Sequence, residues 1–137
     1  MRQRLGQNFL KDQGAIKKIV ESLDLEKDEV VFEIGTGHWE LTWELIAKNL
    51  NLKIITIEKD SGLVKFLQKK FAEVENLEII EGDIRKELKT ISEKLKTYKI
   101  VGNIPYYLTG YLFRLISELR NKPKVCVLTI QKEVAER

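Results

Sequence analysis

Residues 30–37 read Val-Val-Phe-Glu-Ile-Gly-Thr-Gly. A short apolar run without alternation suits a strand covered on both faces, and glycine at its end lets the chain turn sharply into the next element. Similar runs return at Lys53–Ile57, Leu77–Ile80, Tyr98–Val101 and Val125–Ile130. Between them the period lengthens. Leu108, Leu112, Leu115 and Leu119 recur at helical spacing, as do Leu63, Leu67 and Phe71, while Ile16, Ile19, Val20 and Leu23 mark a helix before the first run. Strands alternating with helices predict a doubly wound, mostly parallel α/β sheet.

The whole chain has 137 residues and a mass of 16.0 kDa, the size of one domain spanning 1–137. With 43% apolar and 33% charged residues it is neither collagen-like, low-complexity nor disordered. The one cysteine, Cys126, excludes an internal disulfide framework, and its place among Val125, Val127 and Leu128 predicts an inert buried thiol. No apolar stretch reaches the roughly 18 residues of a membrane span, and the polar, basic start does not read as a signal peptide. The expectation is a soluble cytoplasmic monomer. A strongly apolar last strand at the sheet edge suggests the N-terminal portion of a longer protein, or a partner covering that edge. Net charge is only +3, but within residues 1–20 Arg2, Arg4, Lys11, Lys17 and Lys18 face a single Asp12. Such a basic arm can meet phosphates, or be an ordinary solvated face.

Polar residues stand at the ends of the first four strands: Glu33 with Gly35, then Glu58, Asp83 and Asn103. Each alone suits a helix cap or a turn. Together they fit a crevice at the carboxyl ends of parallel strands, where open α/β sheets bind ligands. Gly35-Thr36-Gly37 resembles the start of a dinucleotide loop, but the third glycine is missing, since Glu40 takes its position. A pyrophosphate grip is therefore disfavoured, and NAD with it. Glu58, 23 positions after Gly35, can accept two ribose hydroxyls. An adenosyl ligand without phosphates, S-adenosylmethionine, fits better.

Asn103-Ile104-Pro105-Tyr106 closes the fourth run. The lone pair of an exocyclic base amine is delocalised into the ring, which makes it a poor nucleophile. An Asn oxygen and a neighbouring main-chain carbonyl can accept its N–H bonds and draw the nitrogen towards tetrahedral geometry. Pro105 stiffens the turn and removes a competing donor, and Tyr106 offers a face for a flipped base. A simple turn with a buried aromatic explains Pro-Tyr, but not the Asn at the crevice.

These strings resemble the small-subunit (16S) ribosomal RNA adenine N6,N6-dimethyltransferase family, the kasugamycin-sensitivity methyltransferases. The likeness rests on Gly6-Gln7-Asn8-Phe9-Leu10, Glu33-Ile34-Gly35-Thr36-Gly37 with Leu41-Thr42, Glu58 with Asp60, Gly82-Asp83, Asn103-Ile104-Pro105-Tyr106 and Gln131–Arg137. It departs at Trp39, where the family usually has glycine, and in length, since the family continues into further strands and a small helical domain. The resemblance implies a Rossmann-like, S-adenosylmethionine-dependent fold. It implies dimethylation of adenine N6 in small-subunit ribosomal RNA by direct in-line transfer to a flipped-out base. Gln7, Asn8 and Leu10 would close over the cofactor, Gly35 and Gly37 would pass beneath its methionine part, and Glu58 would hold the ribose. Asp83 and Ile84 would hold the adenine, and Asn103 would touch both cofactor and target amine. Arg2, Arg4, Lys11 and Tyr106 would meet RNA, the partner being the small ribosomal subunit precursor. No metal is implied, and His38 reads as a surface or packing residue. Two alternatives stay open: a large-subunit ribosomal RNA methyltransferase giving macrolide resistance, and a binding-only factor that keeps the fold.

Overall fold

Runs rich in Val and Ile, too short for helices, form five strands with five helices among the described residues of a computed structural model, 13–35 and 39–130. In chain order they are α1 (Gln13–Ser22), β1 (Val30–Ile34), α2 (Trp39–Ala47), β2 (Lys53–Glu58), α3 (Ser61–Lys70), β3 (Leu77–Glu81), α4 (Ile84–Ser92), β4 (Lys99–Ile104), α5 (Tyr106–Glu118) and β5 (Val125–Ile130). All pairings are parallel and the spatial order is β3-β2-β1-β4-β5. The chain builds outward from β1 to β3, and α4 then carries it back to β4 on the other side of β1. That reversal puts a crevice between β1 and β4, at their carboxyl ends.

Alternation along the strands sorts the core into two layers. Val31, Ile54 and Val101 pack with Ile16, Ile19, Val20 and Leu23 of the α1 segment and Leu41 and Leu45 of α2. Phe32, Ile34, Ile55, Ile57, Ile100 and Ile104 face Leu88 of α4 and Leu112 of α5. Of the stripes expected from leucine spacing, Leu67, Phe71, Leu112 and Leu119 are buried, while Leu63, Leu108 and Leu115 are partly so.

Two elements differ from the sequence reading. β3 is an edge strand with Glu78 and Glu81 exposed, so it is covered less than the uninterrupted apolar reading implied. β4 runs on to Ile104, three residues past Val101. Gly102 permits this: a Cβ there would lie 2.9 Å from the Ile34 carbonyl oxygen, so a larger residue would push β1 and β4 apart. No helix among the described residues is long and apolar enough to cross a membrane.

Candidate active site

Gly35 ends β1 with φ of 75°, a left-handed conformation that glycine adopts without strain. Its N–H still donates to the Ile57 carbonyl at 3.1 Å, and the position of its missing Cβ lies 3.6 Å from the Asn103 carbonyl oxygen. The backbone thus crosses the crevice floor with no side chain above it. At the end of β2, Glu58 accepts from the Asp60 N–H through Oε2 at 2.9 Å. Asp60 in turn caps α3, accepting from the Gly62 and Leu63 N–H groups.

Gly35, Glu58, Asp83, Ile84, Asn103, Ile104 and Pro105 all line one cleft of about 490 Å³. That volume suits a small-molecule ligand. Tyr106 does not line it: it opens α5 and is 60% exposed. Arg2, Arg4, Gln7, Asn8, Leu10, Lys11, Gly37 and His38 lie outside the described residues.

Asp83 caps a helix while it lines the cleft. Its Oδ1 accepts from the Arg85 N–H at 2.9 Å, capping α4, and both oxygens accept from the Arg85 guanidinium at 2.6–3.1 Å. The Arg85 side chain and backbone bonds hold the Asp83 carboxyl far below the usual carboxylate range. An adenine amine reaching Asp83 would have to share it with Arg85.

Asn103 sits within the β4 ladder, opposite Thr129 of β5. The Thr129 hydroxyl donates to Asn103 Oδ1 at 2.8 Å, fixing the amide and leaving that oxygen a second lone pair. Sequence reasoning missed Thr129, because only strand order brings the two together. It also missed Lys59, Arg85, Tyr107 and Tyr111, which line the cleft. For the tyrosines a signal existed: they are spaced i, i+4 on α5, adjacent to the leucine stripe.

Glu33 does not join the cleft. Strand alternation turns it toward α2, where it is 0% exposed and accepts from the Thr42 hydroxyl at 2.6 Å through Oε1. No partner for Oε2 stands among the described residues. Burial pushes its carboxyl up to about 8, Thr42 opposes the rise and the Glu58 charge adds to it. Trp39 also lies outside the cleft; the Lys70 ammonium sits 4.0 Å from its ring centre. Cys126, expected to be buried, is half-buried in β5, and that burial raises its thiol to about 11.

A crevice of this build at the switch between β1 and β4 agrees with the match of residues 1–137 to the family model for ribosomal RNA adenine dimethylase. The chain belongs to the ribosomal RNA adenine dimethylase family. It is 42% identical over 99% of its length to ribosomal RNA small subunit methyltransferase A of Prochlorococcus marinus, covering 48% of that protein. Among solved structures it is similar to a dimethyladenosine transferase from Plasmodium falciparum, with 32% identity, a TM-score of 0.75, and coverage of 92% of this chain and 44% of that one. A 23S rRNA methyltransferase, ErmE, is 26% identical with a TM-score of 0.73, over 93% of this chain and 50% of that one. The fold is that of the S-adenosylmethionine-dependent methyltransferases. The chain spans about half the length of the curated relatives it matches.

Proposed function

We propose that this protein, a family member by its match over residues 1–137, dimethylates adenine N6 in small-subunit ribosomal RNA, acting as a cytoplasmic monomer on a ribosomal subunit precursor. The observation that carries the reading is the meeting of Gly35, Glu58 and the Asn103-Ile104-Pro105 turn in one cleft. These residues fit S-adenosylmethionine. The crevice floor is glycine backbone, the Glu58 carboxylate lines the cleft at the end of β2 where it could hold a ribose, and the cofactor needs no phosphate cradle. Asp83, held by Arg85, and Ile84 line the cleft and would hold the adenine. When bound, S-adenosylmethionine supplies an electrophilic methyl group on a sulfonium sulfur.

In this reading Asn103 Oδ1, steadied by Thr129, and the Ile104 main chain accept the two amine protons of the target base. They localise the nitrogen lone pair toward the incoming methyl group and so favour in-line attack. Pro105 supports this by fixing the backbone between strand and helix without an N–H of its own. Tyr106, exposed and next in sequence to the cleft-lining Pro105, would offer a face for a base flipped out beyond the cleft lining. The methylated ammonium is acidic and loses its proton to water, so no side chain is assigned as base.

The test is incubation of unmodified small subunits and, in parallel, unmodified large subunits with isotopically labelled S-adenosylmethionine, then mass spectrometry of each digested RNA. Labelled N6,N6-dimethyladenosine in small-subunit RNA is expected. Label confined to large-subunit RNA would move the protein to the macrolide-resistance relatives. RNA binding without label would make it a binding factor.

A further inference from the structure

The α5 rim of the cleft carries side chains that the proposed methyl transfer does not use. Tyr107 and Tyr111 lie one turn apart on α5 and both line the cleft, yet they remain 83% and 49% exposed. Arg114 continues the same row three residues on and is exposed. Arg85 lines the same cleft as both phenols, and Lys59 Nζ stands 4.0 Å from Asp83. The rim therefore combines two open aromatic faces with Lys59, Arg85 and Arg114, against the carboxylates Glu58 and Asp83.

This chemistry does not match the cofactor alone. S-adenosylmethionine has no phosphate, and its sulfonium is itself cationic, so the rim cations find no phosphate anion in it. The cofactor's one base is assigned to Asp83 and Ile84, whereas a nucleotide of the RNA brings a second base to stack and a phosphate to pair. We infer that Tyr107, Tyr111 and Arg85 form a second nucleotide subsite, which takes a base and phosphate of the RNA strand flanking the adenine to be methylated. The inference rests on the proposed RNA methyl transfer.

The experiment measures binding of unmodified small-subunit ribosomal RNA across a salt series, with S-adenosylmethionine affinity measured separately by calorimetry. Replacing both tyrosines (Tyr107→Ala with Tyr111→Ala) should weaken RNA binding at least tenfold and leave cofactor affinity within twofold. The corresponding double Phe variant should bind RNA as the unaltered protein does. Arg85→Gln should reduce the slope of log affinity against log salt by about one. Normal RNA affinity in the double Ala variant overturns the inference. So does an equal loss of cofactor affinity, which would make the rings a cover for the adenosine. An unaltered protein that neither binds nor methylates ribosomal RNA would remove the functional reading itself, and this subsite with it.

Discussion

Glu33 and Asp83 are both carboxylic acids near the carboxyl edge of the same sheet, and they are held in opposite states. Glu33 is sealed between β1 and α2 with the Thr42 hydroxyl, and burial favours its neutral form. Asp83 stands on the cleft, where Arg85 keeps it ionised. The difference divides the molecule. The α2 side of the edge is closed and serves packing, while the side facing α4 and α5 is open and presents polar groups to a ligand. Changes on the open side should alter binding and turnover, and changes at Glu33 should alter stability.

The largest effect should come from the open side. Asn103→Ala should lower single-turnover methylation by about two to three powers of ten, roughly the 2.7–4 kcal/mol of one lost preorganised partner, with little change in melting temperature. Near-normal turnover in that variant would place the chemistry elsewhere.

Glu33 tests the closed side. Its folded pKa, about 8, lies above the unfolded value of 4.5, so between them the folded state holds the extra proton. Stability should therefore fall as pH rises through that window and level off above it. Urea titrations at several pH values would measure this, and Glu33→Gln should flatten the dependence. A flat profile in the unaltered protein would mean that Glu33 is not held neutral.

Glu58→Ala should weaken S-adenosylmethionine binding by about 1–3 kcal/mol in calorimetry, through lost ribose hydrogen bonds to a charged group. Unchanged affinity would detach Glu58 from the cofactor and leave it as the partner of the Asp60 N–H. The smallest effect belongs to Thr129→Val, which removes the hydroxyl that steadies Asn103. Turnover should drop by about 1 kcal/mol, near fivefold, with cofactor affinity unchanged. A loss as large as that of Asn103→Ala would show that Thr129 meets the substrate directly.

The sequence alone was enough for the period of each element and the class of fold. Val30–Ile34 and its counterparts are apolar over strand length, and Leu108, Leu112, Leu115 and Leu119 can face one core only as a helix. It also marked Gly35, Glu58, Asp83 and Asn103, because residues at strand ends share one edge whenever the strands are parallel. What it could not decide was side and partner. Glu33 and Gly35 are two residues apart, yet one is buried beneath α2 and the other lies open on the cleft floor. Thr129 meets Asn103 only because β5 lies beside β4, and Arg85 occupies Asp83 only because the cap of α4 folds back on that carboxylate. Local composition sets periodicity, which short-range geometry can read. Partnership across 26 residues depends on strand order and on which face each side chain takes, and those exist only once the sheet has closed.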